Sequence, residues 1–388
     1  MIRFGLCCMF REQPITFRTT TATAIARMKR ADGLAKLAGL CLANADALLA
    51  SLQFCAEQGI GCFRINSQVL PLKTHPDCGY AVDDLPEGDE IIRRFKKCKR
   101  LAKRHSLRTS FHPDQFVVLN SPRPDVVEKS IAELEYQAEV AEWVGADVVN
   151  LHGGGGYGDK QKALGEFARN LRRLSRRARS RLTVENDDRT YTPADLLPYC
   201  RAEGIPLVYD VHHHRCHRDG LTEDETTAQA VATWNREPLF HISSPIEGWK
   251  GRAPQRHHDF IDVRDFPDCW RDLDLTVEVE AKAKEVAVLK LKRELDEARR
   301  DARARMWFVY MLRCADGSLY TGIAKDVNRR CQRHNAGTAS RYTRSRLPVR
   351  VAYQEVQATH GLALKREAAI KAMSRQQKEL LIGQTPAD

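Results

Sequence analysis

The stretch Leu207-Val-Tyr-Asp-Val-His-His-His-Arg215 is a short apolar run ending in Asp210, with three histidines directly behind it. A run of that length between polar residues predicts a buried strand over 207–210, with Asp210 at its C-terminal tip and His213 on the loop that follows. Asp-x-x-His at a strand tip offers one carboxylate and one imidazole to a cation. Histidines clustered on a loop are often only solvated, so repetition of the pattern matters more than the pattern itself. Five further apolar runs end in the same manner. Residues 108–111 lead into His112, 148–151 into His152, 182–184 into Glu185, 238–240 into His241 and 275–279 into Glu280. Imidazoles mixed with carboxylates suit zinc or manganese, and more than four such ligands imply a cluster bridged by carboxylates.

Ligands this far apart in sequence meet only if the strands that carry them are parallel and end on one face. The spacing predicts strands over 2–8, 62–65, 108–111, 148–151, 182–185, 207–210, 239–242 and 275–279. Between them it predicts helices over 34–58, 89–105, 126–144, 160–179, 193–203 and 223–234, with a loop over 17–23 and an irregular piece over 245–274. Eight strands alternating with helices in about 280 residues predict an α/β fold, a (β/α)8 TIM barrel whose chemistry sits at the C-terminal mouth. Residues 281–305 read as helix throughout, the first half closing the barrel and the second acting as a charged, semi-rigid linker.

At 388 residues the chain is long enough for two domains. We expect a barrel over 1–295, a linker over 296–305 and a second domain over 306–388. The net charge of +11 is unevenly placed: residues 306–388 hold 14 Lys+Arg against 6 Asp+Glu, whereas 1–280 hold 39 against 40. A basic C-terminal part argues for a polyanionic partner, most simply nucleic acid. Twelve cysteines without a Cys-x-x-Cys pair, and no leader or membrane-spanning segment read at the N-terminus, predict free thiols in a reducing cytoplasm.

The C-terminal part opens on an apolar strand over 307–313, an Asp316-Gly317 turn and a return strand from 318. This predicts a hairpin that sets Tyr310 and Tyr320 on a small α+β sheet. A helix over 326–335 carries Arg330 and His334 on one face at i, i+4, a placement that by itself ordinarily means solvation.

Seven segments in order carry a resemblance. They are Phe63-Arg-Ile-Asn-Ser-Gln, Ser110-Phe-His-Pro-Asp-Gln-Phe, Asn150-Leu-His-Gly-Gly-Gly, Val184-Glu-Asn-Asp-Asp, Tyr209-Asp-Val-His-His-His, Phe240-His-Ile-Ser-Ser-Pro and Val279-Glu-Ala-Lys-Ala-Lys-Glu. Residues 1–295 thereby resemble the ultraviolet-damage endonucleases, a barrel family similar in metal arrangement to endonuclease IV. The resemblance implies a three-metal centre of Mn2+ or Zn2+. In it Glu185 bridges, His112 and His152 hold one ion, Asp210, His241 and Glu280 hold a second, and His213 with His257 holds the third. It also implies incision of damaged double-stranded DNA 5′ to ultraviolet photoproducts, with Gln115 and Phe116 probing the duplex. His75 matches a position near the site with no metal role. No obligate protein partner and no membrane are implied, and the expected location is the cytoplasm, at the nucleoid. Two departures weaken the third ion: Leu239 stands where the family has a lysine, and Gln255 where endonuclease IV has an aspartate.

Val309-Tyr-Met311, Tyr320-Thr-Gly322 and the segment from Asp326 to Asn335 resemble the GIY-YIG nuclease domain, most closely its small single-domain bacterial members. The resemblance implies that Tyr320 activates or orients the attacking water, Arg330 stabilises the phosphate, Tyr310 and His334 assist, and Glu367 binds Mg2+ or Mn2+. Three other readings remain open on the sequence: an abasic-site endonuclease of the endonuclease IV type, a sugar-isomerase-like metalloenzyme, and a chain whose C-terminal domain only tethers DNA.

Overall fold

The computed structural model describes residues 1–383, so the last five positions of the expected second domain lie outside the described residues. The chain divides into two compact units, Met1–Arg293 and Glu294–Asp388.

In the first unit, eight parallel strands run β1 (Ile2–Cys7), β2 (Cys62–Ile65), β3 (Arg108–Phe111), β4 (Val148–His152), β5 (Leu182–Glu185), β6 (Leu207–Val208), β7 (Leu239–Ile242) and β8 (Leu275–Val279). Their order is β6-β5-β4-β3-β2-β1-β8-β7, and the gap between β6 and β7 is spanned by a parallel bridge between Asp210 and His241. The expected barrel is therefore present, and its seam closes at two of the residues proposed for chemistry. Short apolar strands flanked by helices on the outside are buried on both faces, which is why they read as nearly continuous apolar runs.

Three local expectations change. The sixth strand stops at Val208, because the Asp210 side chain accepts from His213 N at 2.7 Å and starts the helix Val211–Cys216. His213 therefore sits in a first helical turn rather than on a loop. The expected helix over 160–179 divides into Lys160–Leu171 and Arg176–Arg179. Glu135 takes both the backbone N and the hydroxyl of Ser175 at 2.6 Å, and Ser175 then caps the second piece. The expected loop over 17–23 runs into a short helix, Ala22–Ala26, capped by Thr21. Helix Arg30–Gln58 is apolar and long enough to cross a membrane, yet Leu37, Cys41, Leu48, Leu52 and Cys55 on it are buried. It packs against Gly88–Arg104, as a barrel helix does. All twelve cysteines are free thiols.

The barrel interior is layered by the two-residue period of its strands. Val148, Val208 and Leu239 form an apolar layer with Trp234 against it. One step further toward the C-terminal mouth, the same period puts Asn150, Asp210 and His241 inside.

Helix Lys284–Arg305 ends just before the second sheet. That sheet has β9 (Trp307–Arg313) between β10 (Leu319–Ala324) and β11 (Arg350–Gln357), all antiparallel. Alternation along β9 feeds two cores, with Tyr310 and Leu312 on one face and Val309 and Met311 on the other. The sequence reading did not place β11. A register shift between Val351 and Tyr353 breaks its two-residue period, which hides it as a strand.

Candidate metal centre and nuclease site

Strand tips deliver the ligands. His112 follows β3, His152 ends β4, Glu185 ends β5, Asp210 follows β6, His241 lies in β7 and Glu280 follows β8. Three ligand sets come together: His112, His152 and Glu185; His112, His241 and Glu280; and Glu185, Asp210 and His213, each with its ligand atoms within 4.8 Å. Glu185 and His112 are each shared by two sets. Asp210 thus falls with His213 and Glu185, whereas the resemblance grouped it with His241 and Glu280. His257 joins no set: its Nδ1 is 3.8 Å from Glu280 Oε2, and its ring centre is 6.3 Å from that of His213.

Whether these residues suit divalent ions is decided by their unspent polar atoms. Glu185 Oε1, Asp210 Oδ2, His152 Nδ1 and His241 Nδ1 are all buried without a hydrogen-bond partner. Leaving buried polar atoms unpaired is costly, and divalent ions that accept these lone pairs, distributed over the three sets, remove the cost. The donor set fits.

Electrostatics point the same way. Burial alone would raise the Glu185 carboxyl, but His241, His152, His112 and His213 around it hold it well below the usual carboxylate range. Burial opposes protonation of His213 and His241, yet Asp210 and Glu185 lift the first well above its ordinary value, and chiefly Glu185 lifts the second to about 10. Burial pushes His152 down. The anionic oxygens thus hold protons on His213 and His241, and those protons compete with a metal.

Residues outside the quoted ligands hold this arrangement. Asn186 clamps the Asp210 backbone on both sides, donating to Asp210 O at 2.9 Å and accepting from Asp210 N at 3.0 Å. The buried Arg64 guanidinium donates to Glu278 Oε2 at 2.5 Å and Glu280 Oε1 at 2.6 Å. Sequence reasoning missed Asn186, Arg64 and Glu278, although the two-residue period that placed Glu280 inside also places Glu278 inside.

A cleft of about 1160 Å³ opens at the mouth, lined among others by His152, His213, Gln115, Phe116, Tyr157 and His75. Phe116 is 75% exposed, so it is a rim residue rather than a core aromatic. His75 Nδ1 accepts from Asp77 N at 3.2 Å.

In the second unit, Tyr310 OH lies 3.1 Å from His334 Nε2, and the Thr343 hydroxyl lies 2.7 Å from His334 Nδ1. Contrary to the solvated reading, His334 is fully buried, and burial with Arg330 and Arg333 nearby lowers it to about 4. Burial pushes Tyr310 up to about 12. The Tyr320 ring is 4.9 Å from that of His334. Gly322, opposite Tyr310 in the register, has no room for a side chain, since a Cβ there would stand 2.7 Å from Tyr310 OH. Arg330 Nε is buried without a partner, and Glu367 on helix His360–Ala372 pairs with Lys371 at 2.9 Å. No ligand set includes Glu367 among the described residues.

Parallel strands closed into a barrel, with carboxylates and imidazoles gathered at the C-terminal mouth, define a TIM-type barrel with a candidate multinuclear metal centre. The family model described as UV-endonuclease UvdE matches residues 2–305, and the chain belongs to that family. The model of the GIY-YIG catalytic domain matches residues 306–379, so the chain is a DNA endonuclease with two nuclease folds. A UV DNA damage endonuclease of Bacillus velezensis is 32% identical over 77% of this chain and 95% of its own length. One of Bacillus pumilus is 32% identical over 74% and 91% respectively. Among solved structures, SacUVDE aligns with TM-score 0.69 and 26% identity over 77% of this chain and 99% of its own. Endonuclease IV of Thermus thermophilus, at 16% identity and TM-score 0.51 over 77% of this chain and 100% of its own, shares the fold.

Proposed function

We propose that the barrel nicks damaged duplex DNA immediately 5′ of an ultraviolet photoproduct and leaves a 3′-hydroxyl. The observation that carries this reading is three ligand sets, joined to one another through Glu185 and His112, beside an open cleft lined by His152 and His213. His112, His152, Glu185, Asp210, His213, His241 and Glu280 would hold the ions, with His257 at the margin, and Mn2+ or Zn2+ suits this donor set. When bound, such ions supply a nucleophile from water near neutral pH and neutralise the phosphodiester. Glu185 would be the ligand shared between two of these sets. No side-chain nucleophile is required.

Gln115 and Phe116, exposed on the rim, would probe the base stack. Wedging a ring into a stack that a lesion has weakened costs less than into intact DNA, and that difference is itself selective. The names of the relatives favour this reading over an abasic-site endonuclease or a sugar-isomerase-like enzyme. A cytoplasmic location at the nucleoid follows from the substrate, and the reading needs no protein partner or membrane.

For the second fold we propose that Tyr320 orients the attacking water, Arg330 meets the phosphate, Tyr310 and His334 form a supporting hydrogen-bonded pair, and Glu367 holds one Mg2+ or Mn2+. The domain division we adopt is a barrel over 1–295, a charged helical linker over 296–305 and a nuclease domain over 306–388. The experiment is a 5′-end-labelled duplex carrying one defined photoproduct, incubated with the protein and Mn2+. A single product ending at the nucleotide 5′ of the lesion is expected; equal cutting of undamaged duplex would overturn the assignment.

A further inference from the structure

Glu278 lies two residues before Glu280 on β8, so both point into the barrel. It is 1% exposed and belongs to no ligand set. Its space is made by Gly5, where a Cβ would meet Glu278 Cγ at 2.9 Å and Cys62 Cβ at 3.2 Å. Oε1 accepts the Ser110 hydroxyl, while Oε2 accepts Arg64 Nε at 2.5 Å and lies 3.1 Å from His241 Nε2.

The two nitrogens of His241 face different surroundings. Nδ1 looks toward Glu185 Oε1 at 3.1 Å and Glu280 Oε1 at 3.5 Å, and makes no hydrogen bond. Nε2 has two neighbours, Glu278 Oε2 at 3.1 Å and Arg64 Nη2 at 2.8 Å. A neutral imidazole has one N–H and one lone pair. A guanidinium can only donate, so pairing Nε2 with Arg64 puts the imidazole proton on Nδ1 and closes that nitrogen to a cation. A carboxylate can only accept, so pairing Nε2 with Glu278 puts the proton on Nε2 and leaves the Nδ1 lone pair directed at Glu185 and Glu280.

We propose that Glu278 is a positioning residue: by accepting the Nε2–H of His241 in competition with Arg64, it holds the tautomer whose Nδ1 can ligate a divalent ion. The inference rests on the metal-centre reading given under Proposed function. Arg64 gives Nε to Glu278 and Nη1 to Glu280, and its Nη2, the group that contests His241 Nε2, also pairs with Glu278 Oε2. A carboxylate that takes the outer N–H of a ligating histidine fixes the ring and raises its basicity.

The test uses the full-length chain, stripped of metal and titrated with Zn2+ against a chromophoric chelator, as wild type and as Glu278→Gln. Nitrogen-15 histidine spectra of the zinc-loaded wild type, with His241 assigned from its loss in His241→Gln, give the tautomer directly. We expect a protonated Nε2 on His241 in the wild type, and zinc affinity about 10–100-fold weaker in Glu278→Gln. A wild-type His241 protonated on Nδ1, or unchanged affinity in the variant, overturns the inference while leaving the metal centre standing. A wild type that takes up no zinc at His241 overturns the metal-centre reading and the inference with it. If Glu278→Gln does not fold, the wild-type tautomer alone decides.

Discussion

Asn150 Nδ2 donates to Glu185 Oε2 at 2.5 Å, and Thr183 in turn donates to Asn150 Oδ1 at 2.9 Å. The Glu185 carboxylate is thereby fixed through one oxygen, which also faces His112 Nε2 at 3.0 Å, while Oε1 is left without a hydrogen bond. One oxygen is anchored and the other is available to an ion.

Removing the carboxylate and removing its anchor should therefore differ. Glu185→Ala deletes a ligand of two sets and is expected to abolish nicking, with metal content reduced. Asn150→Ala leaves the ligand but frees its rotation, and is expected to weaken metal binding about 10–100-fold. Metal analysis beside a nicking assay checks both. Near-wild-type nicking by Glu185→Ala would show that the ligands are assigned wrongly.

Leu239 lies in the apolar layer with Val148 and Val208, so it brings neither charge nor lone pair to the mouth. With His257 outside every ligand set, the third ion of the family's centre should bind more weakly than the other two. Metal analysis after extended dialysis is expected to find fewer than three equivalents per chain. Three tightly held ions would point to an unrecognised ligand, with His258 and Asp259 the first to substitute.

The barrel was legible because each strand is a short apolar run and the ligands follow such runs in phase, which only a parallel arrangement explains. Sharing among ligands was not legible. Asp-x-x-His already paired Asp210 with His213, but that Glu185 joins them, with the Asp210 side chain capping the helix Val211–Cys216, is a local arrangement that apolar patterning does not encode. Arg64, Asn186 and Glu278 were missed for another reason. Each acts through a neighbour, and nothing in its spacing separates it from a residue that simply fills the core. For His334, spacing alone pointed to solvation, because its partner Tyr310 lies on β9, 24 residues away, and only the resemblance put it in the site.

The buried state of His334 gives a pH prediction for the second unit. Its value falls from an ordinary 6.5 to about 4 in the folded chain, through burial first and Arg330 and Arg333 next. Between those two values the unfolded chain binds more protons, so the stability contribution is complete above 6.5 and is lost as pH falls toward 4. Imidazole resonances of His334 should titrate near pH 4, with the β9 hairpin loosening over the same interval. Titration near 6.5 would show that the ring is solvated and that the Tyr310 hydrogen bond does not persist in solution.

Two nuclease folds on one chain suggest a division of labour. A nick on the 5′ side leaves the lesion joined to the duplex on its 3′ side. Helix Lys284–Arg305 keeps the second fold on the same polypeptide, so it meets that strand at the high effective concentration that a tether gives. Residues 306–388 hold 14 Lys+Arg against 6 Asp+Glu, a net +8 that suits holding a nicked duplex, with affinity that falls as salt rises. We predict a second incision 3′ of the damage, releasing a short lesion-bearing fragment. Tyr320→Phe combined with Arg330→Ala should spare the 5′ nick and eliminate the fragment. Internally labelled duplex, resolved at several salt concentrations with Mn2+ and with Mg2+, reads both cuts at once. If the wild type yields the 5′ nick but no excised fragment with either ion, the second fold serves to tether DNA and the dual-incision scheme is excluded.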